Sequence, residues 1–240
     1  MSALGEKAST ATWTDLAAAG DGVEARRILV VPVGSIEQHG PHLPLDTDCR
    51  IATALADGLA AARPDVFLAP VLAYGSSGEH AGFPGTLSVG ATVFEAVLIE
   101  LVRSADAFAG VVFVNGHGGN AMPLRRAVSV AEAEGRHVMA WSWSLPDGEP
   151  RADAHAGYVE TSLVLAIAPE VVRLDEARPG DPRPLGEVIG ELRTGGVAAV
   201  SPNGVLGDPR GATADVGRAL LANLVDDLVE QVARVFSTQP

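Results

Sequence analysis

Four short apolar runs constrain the fold of this chain more than any other feature. They occupy residues 28–33, 66–72, 110–114 and 137–143, and they are rich in valine, isoleucine and leucine. Unbroken apolar runs of this length are typical of β-strands that are covered on both faces. Helix-like segments at 48–62, 91–107 and 123–134 lie between them. Strands that alternate with helices predict an α/β fold with a mainly parallel sheet.

The C-terminal part of the chain has a less regular pattern. A helix is predicted from near Gly157 to residue 168, and an amphipathic helix over 215–235, where apolar residues recur at helical spacing. Residues 178–211 contain five prolines and eight glycines, so we expect a long loop or hairpin there. We expect residues 1–240 to form one domain, because a chain of this length can bury a single α/β core.

Composition and charge argue against several classes of partner. The formal net charge of −13 argues against nucleic acid and against an anionic membrane surface. No apolar run reaches the roughly 20 residues that a membrane-spanning helix needs. The single cysteine, Cys49, cannot form an intramolecular disulfide. Because no targeting segment is evident, we expect a soluble, cytoplasmic protein.

Titratable side chains collect where the predicted strands end. The residues concerned are Glu37, His39, Glu79, His80, His117 and His155. In open α/β sheets, ligands bind outside the carboxyl ends of the strands. We therefore expect these side chains to share one edge of the sheet and to form one site.

The first strand end carries the pattern that is most typical of a metal site. Glu37 and His39 are two residues apart, which places both side chains on one face of an extended segment. Asp48 follows where the loop enters a helix, and His117 arrives from another strand end. Carboxylates combined with imidazoles suit Zn²⁺, Mn²⁺ or Fe²⁺. A bridging carboxylate is the usual way to hold two ions in a hydrolytic centre.

Structural roles remain open for several of these residues. Asp48 is equally well placed to cap a helix, and His42 is more typical of a structural histidine than of a ligand. Glu79 and His80 are equally compatible with a solvated loop. The glycine-rich turns at 75–78 and 116–119 also permit an anion-binding or nucleotide-binding module. Such a module would keep its ligand affinity after chelation, whereas a metal hydrolase would lose its activity.

Three motifs together resemble the creatininase family of metal-dependent amidohydrolases. They are GSIEQHGPHLPLDTD at 34–48, NGHGGN at 115–120 and HAGYVETS at 155–162. The resemblance implies a three-layer α/β fold with helices on both faces of the sheet, and a closed homo-oligomer. It also implies two divalent ions, Zn²⁺ and/or Fe²⁺ with Mn²⁺ possible, bridged by Asp48. The implied metal ligands are Glu37, His39, Asp48, His117 and Glu160, and the implied catalytic residues are His155 and Glu160.

Further stretches narrow the expected substrate. Residues 73–80, 113–120 and 195–209 resemble family members that trim the modified C-terminus of a precursor peptide. This resemblance implies a peptide substrate and release of a cyclised fragment derived from Val-Tyr. Creatininases proper carry a carboxylate where this chain has Gly119, and a tryptophan where it has residues 151–154, which argues against creatinine. A small cyclic amide or a formamide remains the alternative substrate.

Overall fold

The computed structural model describes residues 6–18, 27–144 and 153–236, and its centre is a five-stranded sheet. The strands are β1 (Glu6–Lys7), β2 (Ile28–Val33), β3 (Val66–Leu68), β4 (Gly110–Asn115) and β5 (Val138–Ser142). Their order across the sheet is β1-β3-β2-β4-β5, and every neighbouring pair is parallel. The predicted parallel α/β sheet is confirmed. The two-residue edge strand β1 was not predicted.

Seven α-helices surround this sheet in the described parts of the chain. They are α1 (Trp13–Ala18), α2 (Thr47–Ala62), α3 (Ala91–Arg103), α4 (Ala121–Ala133), α5 (Tyr158–Ile167), α6 (Leu185–Val200) and α7 (Ala214–Val235). The predicted helices that correspond to α2, α3, α4, α5 and α7 are present within a few residues of their expected bounds. None of the helices described here is both long enough and apolar enough to cross a membrane.

The sheet separates two hydrophobic layers, which confirms the three-layer architecture. Helices α2, α5 and α7 pack on one face through buried residues that include Leu55, Leu163 and Leu228. Helices α3 and α4 cover the other face, where Phe94 and Leu124 are buried. Successive strand residues point to opposite faces. The odd and even positions of β4 therefore fill both cores, which is why its sequence is uniformly apolar.

Helix α6 contradicts the loop or hairpin that was expected within 178–211. Pro184 precedes its first residue, and Gly196 interrupts it with φ of 71° and ψ of −178°. Leu192 packs against a small cluster that contains the buried Val188. The prediction was wrong because it gave the glycines and prolines more weight than the helical spacing of the apolar residues. Burial of one apolar face stabilises a helix even where its sequence has low helix propensity.

Candidate metal centre

The carboxyl ends of β2 and β4 place the predicted ligands side by side. These strands pair in parallel up to Val33 and Asn115, so the segments that follow them leave the sheet together. Two glycines allow the start of α2 to approach this edge closely. A β-carbon at Gly34 would lie 2.6 Å from the Cys49 nitrogen, and one at Gly116 would lie 2.5 Å from the Asp48 carbonyl oxygen. The glycines therefore bring Asp48 against both strand ends.

All the predicted metal ligands meet in one buried cluster. His39 Nε2 lies 3.0 Å from Asp48 Oδ1 and 3.9 Å from Glu160 Oε2. His117 Nδ1 lies 3.2 Å from Glu37 Oε2 and 3.3 Å from Asp48 Oδ2. Glu37 and His39 are fully buried, and none of the five side chains is more than slightly exposed. Asp48 points into this cluster and does not cap α2, since the N-cap residue is Asp46.

Several carboxylate oxygens in this cluster lack a hydrogen-bond partner. Both oxygens of Glu37 and Oδ2 of Asp48 are buried and accept no hydrogen bond, although His117 Nδ1 lies within 3.3 Å of two of them. The contacts are close but are not aligned as hydrogen bonds. Because a buried unpaired polar atom costs roughly 1–3 kcal/mol, each needs a partner. A divalent cation would satisfy these oxygens, so the donor set fits Zn²⁺, Mn²⁺ or Fe²⁺.

Three groups of ligand atoms are close enough together to hold an ion. One is formed by Glu37, His39 and Asp48, and another by His39, His155 and Glu160, with the ligand atoms of each group within 4.8 Å of one another. A third group of the same kind joins Glu37, His80 and His155. Because His39, Glu37 and His155 each belong to two of these groups, the cluster can hold ions close together.

The charges within the cluster shift its acid–base equilibria. Burial lowers the pKa of His39, but the carboxylates of Asp48, Glu160 and Glu37 together outweigh burial and raise it to about 10. Burial raises the pKa of Glu160 to about 7, although His39 opposes this shift. Burial and the neighbouring His39 and His80 hold the pKa of His155 well below its usual range. His155 is therefore a neutral imidazole at neutral pH and can accept a proton.

The side chain of Gln38 fixes the orientation of the histidines around it. Its Oε1 accepts a hydrogen bond from the Gly40 N–H at 2.9 Å, and its Nε2 donates to the Gly204 carbonyl at 3.0 Å. These partners distinguish the oxygen of the Gln38 side-chain amide from its nitrogen, since a backbone N–H only donates and a carbonyl only accepts. The second Nε2 hydrogen faces His80 Nδ1 at 3.0 Å and His155 Nε2 at 3.1 Å.

The main chain decides which histidine accepts this second hydrogen. His155 Nε2 lies 2.8 Å from the Gln38 carbonyl oxygen, which only accepts, so His155 carries its proton on Nε2 and keeps a lone pair on Nδ1. The Gln38 amide therefore donates to His80 Nδ1. Neutral His80 then carries its proton on Nε2, which lies 3.3 Å from Glu37 Oε1. His80 thus turns its N–H towards Glu37 without forming an aligned hydrogen bond, whereas His155 presents an acceptor.

Glu79 and His80 lie in the site, as their position after a strand end predicted, whereas Gln38 lies there although sequence reasoning gave it no role. His80 is 3% exposed, so the solvated loop that was considered for it is wrong. Glu79 Oε1 lies 3.4 Å from His117 Nε2, on the far side of that ring from Asp48. Gln38 could have been identified from its position between two predicted ligands.

Three other residues within or next to the motif at 34–48 lie outside the metal cluster. His42 Nε2 is within 2.8 Å of Thr161 Oγ1, in keeping with a structural role. Asp46 forms an ion pair with Arg50 at 2.7 Å. Burial raises the pKa of the Cys49 thiol to about 12, so the thiol stays protonated at neutral pH and is not a nucleophile.

A cavity of about 950 Å³ adjoins the cluster. Asp48, His117, His155 and Glu160 form part of its wall. Trp143 and the inward side of α6 form another part. The cluster is thus buried from bulk solvent but open to a space that is large enough for a small ligand or the end of a peptide.

Comparison with known proteins identifies the class to which this fold and site belong. The creatinine amidohydrolase (creatininase) family matches residues 9–232. The chain therefore belongs to the creatininase family, and it is a hydrolase that acts on carbon–nitrogen bonds. The resemblance that the sequence motifs indicated is confirmed.

Individual relatives place the chain more narrowly within this family. It is 52% identical over 215 residues to the mycofactocin precursor peptide peptidase of Mycobacterium ulcerans (strain Agy99), which covers 86% of this chain and 84% of the relative. It is 30% identical over 194 residues to the creatinine amidohydrolase of Pseudomonas putida, which covers 68% and 72% of the two chains. A solved manganese form of creatininase superposes with a TM-score of 0.81 at 25% identity, covering 97% of this chain and 99% of the other.

Proposed function

We propose that this protein is a metal-dependent peptidase that trims the modified C-terminus of a mycofactocin precursor peptide. The observation that carries metal dependence is the buried set of unpartnered oxygens on Glu37 and Asp48, beside His39 and His117. The choice of substrate is supported by relatives named for that activity at about half sequence identity. The cavity beside the cluster is large enough to admit a peptide end.

Glu37, His39, Asp48, His117 and Glu160 are the proposed ligands for two divalent ions, Zn²⁺ and/or Fe²⁺ or else Mn²⁺. Oxygen and imidazole donors suit all three metals. When bound, such ions polarise an amide carbonyl and lower the pKa of water. Asp48 is the proposed bridging ligand, because its Oδ1 faces His39 and its Oδ2 faces His117.

His155 is the proposed proton carrier of the reaction. Its Nε2–H is held by the Gln38 carbonyl, and this leaves the Nδ1 lone pair to accept a proton and to pass it to the leaving nitrogen. Burial keeps its pKa low, so the imidazole is neutral before the reaction starts. Glu160 is proposed to assist as a catalytic carboxylate. Its Oε2 accepts the Ala156 N–H at 2.6 Å, which fixes it beside the same imidazole.

Two other functions are weaker explanations of the site. A small cyclic amide or a formamide would use the same centre, but it would leave much of a cavity of about 950 Å³ unfilled. An anion-binding module would use the glycine-rich turn after β4 as a cradle. Asp48, Glu79 and Glu160 line the cavity there, and their negative charges would repel an anion at that position.

The decisive experiment is mass spectrometry of the decarboxylated, crosslinked precursor peptide after incubation with metal-loaded protein. We expect loss of the cyclised fragment derived from Val-Tyr, and we expect a chelator to abolish this loss. Asp48→Asn should abolish cleavage, whereas Asp46→Asn should not, because Asp46 pairs with Arg50 outside the cluster. Failure of the metal-loaded protein to cleave would refute the peptidase assignment. Cleavage that survives chelation would refute the metal dependence.

Three broader expectations stay predictions for this protein. These are a cytoplasmic location, a homo-oligomeric assembly and a single domain over residues 1–240. Size-exclusion chromatography with light scattering would test the second, and limited proteolysis of the full chain would test the third.

A further inference from the structure

The wall of the cavity contributed by α6 has a composition unlike that of the metal cluster. Leu185, Ile189 and Arg193 recur at four-residue spacing and line the cavity together, which places them on one stripe of the helix. Leu185 is 48% exposed and Ile189 is 38% exposed, although both are large and apolar. The stripe is thus an apolar surface with one cationic side chain at the end nearest the kink.

Arg193 is distinctive among the basic residues of the protein. Within the described parts of the chain, it is the only lysine or arginine that lines the cavity, and it has no hydrogen-bond or ion-pair partner there. By contrast, Arg50, Arg63 and Arg103 each pair with a carboxylate. An arginine without such a partner keeps its five N–H donors available for a ligand.

The kink in α6 keeps this stripe close to the metal cluster. Gly196 has a φ of +71°, and a β-carbon there would lie 2.7 Å from the Glu79 carbonyl oxygen. The backbone of α6 therefore packs directly on the residue whose carboxylate lies 3.4 Å from His117. Arg193 precedes Gly196 by three residues, which is about 4.5 Å along a helix axis. A ligand that reaches the cluster through this cavity can thus extend past the Arg193 guanidinium.

We propose that Arg193 forms a carboxylate-binding subsite for an acidic residue of the peptide substrate, with Leu185 and Ile189 contacting an apolar neighbour of that residue. The inference rests on the proposed peptidase function for its choice of ligand. The cavity wall otherwise carries the carboxylates Asp48, Glu79 and Glu160, which repel an acidic peptide unless a cation offsets them. A guanidinium also provides paired N–H donors that match a carboxylate.

A direct binding test uses the zinc-loaded full-length protein and two short probes. The probes are acetyl-leucyl-aspartyl amide and acetyl-leucyl-asparaginyl amide, which differ only in the carboxylate. We expect the aspartyl probe to bind roughly 10-fold more tightly than the asparaginyl probe, because a hydrogen bond to a charged group is stronger than one to a neutral group. We expect added salt to reduce this preference. Arg193→Gln should reduce it to within about twofold. Arg173→Gln is the matched control, because Arg173 is exposed and does not line the cavity.

Two results in this binding test would overturn the subsite. One is the lack of any preference for the aspartyl probe in the unmodified protein. The other is a preference that persists in Arg193→Gln, which would place the carboxylate on the metal ions instead.

A kinetic test with the modified precursor peptide separates the subsite from the proposed function. In Arg193→Gln we expect KM to rise about 10-fold while kcat stays within about twofold, because the lost contact is to a part of the substrate that does not react. An unchanged KM would count against the subsite. If the unmodified protein does not cleave the precursor, the proposed function fails, and the two probes still decide whether Arg193 binds a carboxylate.

Discussion

Two adjacent glycines in the turn after β4 provide a sharp test of the metal centre. A β-carbon at Gly119 would lie 2.4 Å from His117 Nε2, 2.4 Å from Glu79 Oε1 and 2.5 Å from the Ser76 carbonyl oxygen. A β-carbon at Gly118 would meet nothing within 4 Å. Neither glycine has a positive φ, so alanine is compatible with the backbone at both positions. The two alanine variants therefore differ only in the space available.

The structure sets the expected size of the effect of Gly119→Ala. Non-bonded atoms are at their optimal separation at about 3.5 Å, so the His117 ring must move by about 1 Å to accommodate the methyl group. The Glu79 side chain must move as well, and the contact with the Ser76 carbonyl oxygen is relieved only by a shift of that backbone segment. Overpacking of this kind costs about 1–3 kcal/mol of stability. A reacting group misplaced by about 1 Å can lower the rate about 100-fold.

The assays for this variant measure metal affinity and peptide cleavage separately. In Gly119→Ala we expect zinc affinity, measured by competition with a chromophoric chelator, to fall about 10- to 100-fold, as happens when the support of a ligand is lost. We expect kcat/KM to fall by about 100-fold. Gly118→Ala should stay within about twofold of the unmodified protein on both measures. Equal zinc affinity in the two variants would refute the view that His117 must be held in this position.

Three further predictions concern the ligands and the core. Glu37→Gln should prevent stoichiometric zinc binding, because both oxygens of this buried carboxylate lack hydrogen-bond partners within the protein. Elemental analysis of the purified variant measures its zinc content, and full zinc occupancy would contradict the assignment of Glu37 as a ligand. Zinc binding at pH 8 should release a proton from His39, because its pKa of about 10 keeps it protonated in the metal-free protein. Calorimetry in two buffers of different ionisation enthalpy should show this proton release as a difference in the heat of zinc binding. Equal heats in the two buffers would contradict the prediction. Leu228→Ala should lower the free energy of unfolding in urea by about 2–5 kcal/mol, because this side chain is fully buried. Val235→Ala, at a position that is 39% exposed, should cost far less, and similar losses would contradict the packing of α7.

Local sequence was sufficient to predict the sheet and most of the helices. The apolar runs that form β2 and β4 are uninterrupted, and each is followed at once by glycine and titratable residues. Few other folds accommodate such a pattern, because these segments must be buried on both faces while their polar ends must reach solvent or a ligand. Helix α6 could not be predicted in this way. Its glycines and the prolines on either side of it favour a loop locally, and the packing of its apolar face makes it a helix.

The metal ligands were predictable from residue type and spacing, but their supporting residues were not. Glu37 and His39 are two residues apart, so their shared direction follows from the geometry of an extended chain. The hydrogen bonds of Gln38 to Gly204 and His80 span 166 and 42 residues. No local pattern encodes contacts at such separations.

The amino-acid sequence by itself determined the class of fold, the family and the identity of the proposed ligands, because apolar patterning and short motifs are local properties of the chain. Only the tertiary structure decided that Asp48 faces the ligands instead of capping α2, that His80 lies against Glu37, and that α6 closes one side of the cavity with Arg193. These outcomes depend on which distant segments meet. That is set by the packing of helices on both faces of the sheet and by the glycines that let their backbones approach.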